Sequence, residues 1–328
     1  MLGVPVEGGA LAVHELGAGP ATVLALHGIT SNGLAFASLA DSLHGTARVL
    51  APDLRGRGCS AAVAGPAGLA AHAADIVAVA SVAAGSGGAP VVLVGHSMGA
   101  FVAAAAAARH PELFRAVVLL DGGVALPAPP GTDIEAQLGA AIGPALDRLS
   151  MTFPTPEDCL AFWAGHPAVG PLLHGPTAAA VRAHLLHDLV PAGDGAVRSS
   201  CVRDAVLADG RDVLTWSPSR SWADSGQGVA PPVTVLLAER GMLDQPEPFV
   251  PDSTVGADGA DGADGADGAD GADGADGADG ADGADGADGA DGRTRRVTRV
   301  AATNHYSLIL GPAGVAATDA AVRSALKG

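Results

Sequence analysis

Ser97 lies at the centre of a G-x-S-x-G pattern, in the segment "PVVLVGHSMGAFVAAAAAA". A serine hydroxyl that is activated by a neighbouring base can act as the nucleophile in acyl transfer. The pattern alone is weak evidence, because a chain with 47 glycines will match it by chance at an appreciable rate. The value of Ser97 as a candidate therefore depends on the elements around it.

Those elements are the ones that a nucleophilic serine needs. A short apolar run precedes the pattern and an alanine-rich segment of helical length follows it, which predicts a strand, a sharp turn and a helix. Such a turn places Ser97 Oγ above the carboxyl edge of a sheet. The positive end of the helix and the Met98 N–H are then predicted to face an oxyanion that develops on a bound carbonyl.

A nucleophilic serine also needs a general base, which is usually a histidine. The chain has eleven histidines. His305 follows the last strand-like run, in "AATNHYSLILGP", and a loop there is predicted to carry it over the sheet edge beside Ser97. His27 and His96 are interpreted instead as packed or hydrogen-bonded neighbours of the turns.

Strand-like and helical segments alternate along most of the chain, which predicts an α/β fold with a mainly parallel sheet. The β-branched runs are 22–28, 47–53, 90–97, 115–123, 232–240 and 296–305. The helical candidates are 33–44, 67–84, 98–109 and 313–326.

The alternation stops at 124–230, and we predict an inserted helical cap there. The core is then formed by 1–123, 231–255 and 293–328. A separate second domain is the less favoured alternative, because strand-like runs resume after this stretch.

Residues 256–292 are dominated by twelve copies of Gly-Ala-Asp. The repeat has no hydrophobic periodicity, so it is predicted to form a disordered insertion. A tandem expansion without a role is the favoured interpretation, and weak calcium association or an interaction tail are the alternatives. The repeat supplies most of the net charge of −17, and −5 remains without it. No extended basic surface is predicted, so nucleic acid is not an expected partner.

Several motifs together give a family resemblance. "LALHG" at 24–28, "GHSMG" at 95–99 and "APDLRGRGCS" at 51–60 occur in the expected order. With them the chain resembles the serine-nucleophile, esterase- and lipase-like branch of the α/β-hydrolase fold family. The resemblance implies that the backbone N–H of Ile29 is a second oxyanion donor, and that Asp53 and Arg55 are mainly structural.

The resemblance also implies an acid that orients His305. The usual family position is the loop after the seventh strand, "LLAERGMLDQPEP", where Asp244 is the favoured candidate. This loop is longer than the common pattern. Asp121, at the end of "VVLLDGG", is therefore kept as the alternative acid, and Glu239 is the least favoured.

These predictions describe a hydrolase that cleaves an ester-like acyl bond of a small to medium substrate. Ser97, His305 and Asp244 form the predicted triad, and Met98 and Ile29 form the predicted oxyanion hole. The alternatives are a catalytically idle ligand-binding or signalling protein on the same fold, or a C–C hydrolase or perhydrolase with the same triad. Epoxide hydrolases and dehalogenases of this type place aspartate at the nucleophile position, which disfavours them.

No cofactor and no metal are expected. His184 and His187 have helical spacing, but no motif such as H-E-x-x-H accompanies them. The three cysteines form no CxxC pair, and neither a signal peptide nor a membrane-spanning stretch is recognised. A cytoplasmic protein without a membrane partner is predicted, and the oligomeric state is left open.

Overall fold

The computed structural model describes residues 1–85, 89–124, 133–216, 230–252 and 295–327. The repeat and the disordered loop predicted for 256–292 lie outside these residues. The described strands are β1 (Leu2–Val6), β2 (Gly9–Gly17), β3 (Ala21–Leu26), β4 (Ala47–Pro52), β5 (Val91–His96), β6 (Phe114–Leu120), β7 (Thr152–Phe153), β8 (Leu189–Gly193), β9 (Ala196–Ser199), β10 (Val233–Arg240) and β11 (Arg295–Asn304).

Within the described ranges, eight of these strands form one sheet in the order β1-β2-β4-β3-β5-β6-β10-β11. The pairs from β4 to β11 are all parallel, whereas β1-β2 and β2-β4 are antiparallel. The six β-branched runs of the sequence correspond to the six parallel strands. The predicted α/β fold with a mostly parallel sheet is confirmed.

The N-terminal hairpin was not among the predicted strands. β1 pairs with β2 through a tight turn, where Gly8 has a φ of 86° and Val6 pairs with Gly9. The signal for it was the alternation of buried Leu11 and Val13 with more exposed residues after a Gly-Gly turn.

Helices cover both faces of the sheet. The described helices are α1 (Ala37–Ser42), α2 (Leu69–Ala84), α3 (Met98–Arg109), α4 (Ile134–Leu149), α5 (Pro156–Ala164), α6 (Ala178–His187), α7 (Arg203–Leu214), α8 (Ser307–Leu310) and α9 (Pro312–Lys327). α2 and α3 pack in one apolar core, and α1 and α9 pack in the other. α3 is buried almost throughout, which explains its run of small alanines. No helix in the described part of the chain is long and apolar enough to cross a bilayer.

The strand order reverses between β3 and β5. From β3 the chain moves to β4 on one side, and β5 then pairs with β3 on the other side. Ligands of open α/β sheets bind in the crevice at the carboxyl ends of strands at such a point. The turns after β3 and β5, which carry the His-Gly and G-x-S-x-G motifs, therefore lie next to each other.

The segment between β6 and β10, described at 133–216 and called the insertion below, contains α4 to α7. It also contains a three-stranded antiparallel sheet of order β7-β9-β8, which the prediction of a helical cap did not include. β8 and β9 are joined by Asp194-Gly195, whose φ values of 48° and 79° are those of a type I′ turn. The Asp-Gly pair was the sequence signal for this hairpin.

Candidate active site

Ser97 occupies a strained turn between β5 and α3. Its φ of 54° and ψ of −124° are unfavourable for a residue with a side chain. A β-carbon on Gly95 would lie 2.3 Å from Gly99 O, and one on Gly99 would lie 2.2 Å from Leu26 O. Both glycines of the motif are therefore required for the close approach of helix and strands that supports the turn.

The turn after β3 lies against Ser97. A β-carbon on Gly28 would be only 3.2 Å from Ser97 Cβ and 3.6 Å from its Oγ. Ile29, the next residue, lines the same cavity as Ser97. The two turns that carry the predicted oxyanion donors are thus in contact.

His27 determines the orientation of the Gly28–Ile29 peptide. Its Nε2 accepts a hydrogen bond from the Leu54 N–H (2.9 Å), so its Nδ1 carries the proton and donates to Gly28 O (2.8 Å). Burial lowers the pKa of His27 to about 3, so the ring is neutral. Because C=O and N–H of a trans peptide point in opposite directions, this bond directs the Ile29 N–H away from His27.

His305 contacts Asp121. Its Nδ1–H donates to Asp121 Oδ2 at 2.6 Å, and both side chains are buried. The second carboxylate oxygen of Asp121 accepts a hydrogen bond from the Ala238 N–H (3.1 Å) in β10. Asp121 directly follows β6 and has a φ of 49°, so the strand end and its neighbour hold the carboxylate in place. Among the described residues, the side-chain hydrogen bond of His305 is made through Nδ1, which leaves its Nε2 for another partner.

Asp244, the carboxylate expected to orient His305, is directed elsewhere. Its Oδ1 accepts hydrogen bonds from Arg240 Nε (2.9 Å) and Asn304 Nδ2 (3.1 Å), and 39% of its side chain is exposed. Glu239 accepts from the Ala302 N–H (2.7 Å) at the sheet edge. The expected pairing of His305 with Asp244 is therefore not found; the structure pairs His305 with the alternative acid instead.

His96 supports the loop that carries His305. Its Nε2–H donates to the backbone oxygen of His305 (2.9 Å), and the two rings lie 4.7 Å apart. Phe249 contacts the His305 ring at the same distance. Burial holds the pKa of His96 well below its ordinary value, so it is a neutral structural group. His27 and His96 are hydrogen-bonded neighbours of the two turns, as their positions in the sequence predicted.

Ser97, Ile29 and His305 line one cavity of about 70 Å³. The insertion supplies its opposite wall, which includes Ala145, Arg148, Trp163, Val169, His184, Leu185 and Asp188. The charge of Arg148 is compensated by Asp188, which lies 3.2 Å away, and its guanidinium lies over the Trp163 ring at 5.2 Å. The cavity wall is therefore largely apolar, and its cation is paired.

Asn32 joins the insertion to the turn after β3, and sequence reasoning did not identify it. Its Nδ2 donates to His184 O, and its Oδ1 accepts from His184 Nδ1–H, both at 3.0 Å. Burial lowers the pKa of His184 to about 4, so this contact is between neutral groups. An asparagine four residues after the His-Gly turn gives no local signal of a partner 152 positions away.

His187 makes a different contact, so the two histidines of α6 do not act together. His187 Nε2 lies 2.8 Å from Asp53 Oδ2, and His14 Nε2 lies 3.2 Å from Asp53 Oδ1. These three residues are the group in the described ranges that could hold a metal, since their ligand atoms lie within 4.8 Å of one another. Asp53 also accepts backbone hydrogen bonds from Gly33 (2.8 Å) and Cys59 (2.8 Å), so its oxygens are well occupied without an ion.

The contact between His187 and Asp53 is expected to stabilise the fold in a pH-dependent way. The hydrogen bond with Asp53 raises the pKa of His187 above its ordinary 6.5. Its stabilising effect is therefore fully present below pH 6.5 and is lost as the pH rises through the raised value. The His187→Asn substitution should lower the free energy of unfolding by about 1 kcal/mol more at acidic than at alkaline pH.

Urea unfolding at about pH 5.5 and about pH 9 measures this difference. His110→Asn is the matched control, because His110 pairs with Glu112 at 3.2 Å on an exposed surface where ion pairs contribute little. An effect of His187→Asn that does not depend on pH would contradict the prediction.

Comparisons with known proteins agree with this architecture. The family model described as alpha/beta hydrolase fold matches residues 21–155. Lipase LipV of Mycobacterium tuberculosis is 43% identical over 108 residues, which are 33% of this chain and 40% of that protein. The 2-(acetamidomethylene)succinate hydrolase of Mesorhizobium japonicum is 38% identical over 112 residues, 34% of this chain and 38% of that protein. The chain thus spans about 40% of the length of these curated relatives.

The similarity to solved structures extends over nearly the whole chain. The crystal structure of E-2-(acetamidomethylene)succinate hydrolase superposes with a TM-score of 0.66, at 23% identity, over 97% of this chain and 96% of that one. At this identity the likeness concerns the fold. Sheet order, motif positions, the family match over residues 21–155 and the structural likeness lead to one conclusion: the chain has the α/β-hydrolase fold.

Proposed function

We propose that the protein is a serine hydrolase that cleaves an ester-like acyl bond of a small to medium substrate. The observation that carries the proposal is the strained Ser97 turn, which shares one cavity with His305, whose buried hydrogen-bond partner is Asp121. The proposed triad is therefore Ser97, His305 and Asp121. The curated relatives, one named a lipase and the other a hydrolase, support hydrolytic chemistry.

In the proposed reaction, Ser97 Oγ attacks the substrate carbonyl while His305 Nε2 accepts its proton. Nε2 is the nitrogen available for this step because Nδ1 is bound to Asp121. The Asp121 carboxylate stabilises the imidazolium that forms. The imidazolium then protonates the leaving group, and the acyl group stays on Ser97. His305 next removes a proton from water, which attacks the acyl-enzyme. The imidazolium then returns this proton to Ser97 Oγ as the acyl–Oγ bond breaks and the acid is released.

The N–H groups of Ile29 and Met98 are the proposed donors to the tetrahedral oxyanion. Met98 is the first residue of α3, where backbone N–H groups have no acceptor within the helix. The Ile29 N–H is directed by the bond between His27 and Gly28. Donors that are fixed before the reaction stabilise the developing charge without reorganisation.

We propose that the insertion caps the cavity and selects the acyl group. Trp163 and Leu185 present apolar surface there, and Arg148 is already paired with Asp188. An uncharged acyl group of a few carbons fits this lining better than a charged one. The proposed substrates are therefore short-chain esters and thioesters rather than long-chain lipids.

The proposal is tested by covalent labelling with a fluorophosphonate, together with a panel of p-nitrophenyl esters of increasing chain length. We expect labelling of the wild type at Ser97 and fastest turnover of the short esters. Peptide mapping of the labelled protein identifies the modified residue. A folded wild type that is neither labelled nor active on esters, thioesters, amides or lactones would contradict the proposal and favour a ligand-binding protein.

A further inference from the structure

Arg57 is a large, fully buried side chain in the loop after β4, with 0% exposure. A guanidinium in such a place must have its charge and its donors satisfied. Its Nη1 lies 2.5 Å from Asp209 Oδ2 and also donates to Arg55 O (2.9 Å). Its Nε–H donates to Ile29 O at 2.9 Å. The guanidinium therefore binds the backbone of a residue whose N–H is a proposed oxyanion donor.

Arg57 touches both residues proposed to bind the oxyanion. Besides the bond to Ile29 O, its Nη2 lies 4.0 Å from Met98 Sδ. The peptide on the other side of Ile29 is held by His27 through Gly28 O. With the carbonyls on both sides of its α-carbon bound, Ile29 has little freedom to rotate its N–H out of position.

Asp209 connects this arrangement to the insertion. It lies in α7, is completely buried, and accepts hydrogen bonds from the Gly68 N–H (2.6 Å) and His72 Nε2 (3.1 Å) of the core. Its carboxylate is therefore fixed from several directions. Arg57, which binds it, is fixed in turn.

We propose that Arg57, held by Asp209 of α7, is a positioning residue that keeps the Ile29 N–H aligned as an oxyanion donor. The inference rests on the proposed serine hydrolase function. It assigns the insertion a part in catalysis beyond enclosing the cavity, because α7 supplies the counter-charge that anchors Arg57. Arg57 itself does not touch the substrate.

The test compares Arg57→Lys with Arg55→Lys. A lysine at 57 keeps the charge but cannot bind Asp209 and Ile29 O together. Arg55 is a matched control: it is a buried arginine of the same loop, and it forms two 2.7 Å contacts with Asp75. Its side-chain contacts go to Asp75 and to loop carbonyls away from Ile29.

Two readouts separate positioning from general destabilisation. The first is kcat and KM for p-nitrophenyl acetate, with active sites counted by fluorophosphonate titration. The second is the inhibition constant of butylboronic acid, which forms a tetrahedral adduct on a nucleophilic serine. We expect Arg57→Lys to lower kcat per titrated site at least about tenfold with KM changed less than about twofold, and to weaken boronate binding in parallel. Arg55→Lys should leave kcat per site within about twofold.

Asp209→Asn is the second variant, because it keeps the size of the side chain and leaves Arg57 in place. We expect a fall in kcat per site in the same direction as for Arg57→Lys. Equal kcat per site in wild type, Arg57→Lys and Asp209→Asn would overturn the inference while leaving the proposed function intact. A wild type without turnover that depends on Ser97 would overturn both.

Discussion

Replacing Ser97 with alanine should lower kcat for p-nitrophenyl acetate by about 10⁴-fold or more, with little change in stability. The substitution removes the nucleophile but leaves the cavity and the donor N–H groups in place. Residual acceleration from those donors and from binding sets a floor above the uncatalysed rate. Steady-state kinetics give the effect on turnover, and thermal unfolding gives the effect on stability.

Ser31→Ala is the matched control for this experiment. Ser31 lines the same cavity but lies outside the strained turn. Its contact with Gly28 O is made by the backbone N–H, which the substitution retains. Turnover within about threefold of wild type is expected. Near-wild-type turnover in Ser97→Ala would remove Ser97 from the mechanism, whatever the result at Ser31.

The second large effect is expected at Asp121. Asp121→Asn should lower kcat by about 10³- to 10⁴-fold, because a neutral amide cannot stabilise the imidazolium and can hold His305 in the wrong tautomer. The buried 2.6 Å contact makes His305 dependent on this one carboxylate. The loss should appear in kcat at all pH values where the wild type is active.

Asp244→Asn is the direct comparison, because Asp244 was the acid expected from the sequence. Its contacts are with Arg240 and Asn304, and its side chain is partly exposed. We expect kcat within about threefold of wild type, since an asparagine keeps one oxygen as acceptor for these donors. A larger loss at Asp244 than at Asp121 would reverse the assignment of the acid.

Local sequence was sufficient to predict the elements that hold the candidate catalytic residues. The six β-branched runs became the six parallel strands, and the predicted helix at 98–109 has the bounds Met98–Arg109. The G-x-S-x-G turn was recognisable because its glycines, its strand and its helix are all neighbours in sequence. His305 was identified because it follows the last strand at the same sheet edge.

The sequence could not decide whether Asp121 or Asp244 contacts His305. Asp121 and Asp244 both follow a parallel strand on the carboxyl side of the sheet, so local patterns rank them poorly. The outcome depends on competing partners. Arg240 and Asn304 bind Asp244, whereas the end of β6 and the Ala238 N–H hold Asp121 against His305.

The sequence by itself determined the α/β architecture and the positions of Ser97 and His305, because these follow from periodicity and from residues that are close along the chain. Only the tertiary structure decided which acid meets His305, and that Arg57 joins Asp209 to Ile29. These are contacts between residues far apart in sequence. Their partners are selected by burial, charge and strand order together, and no single segment contains that information.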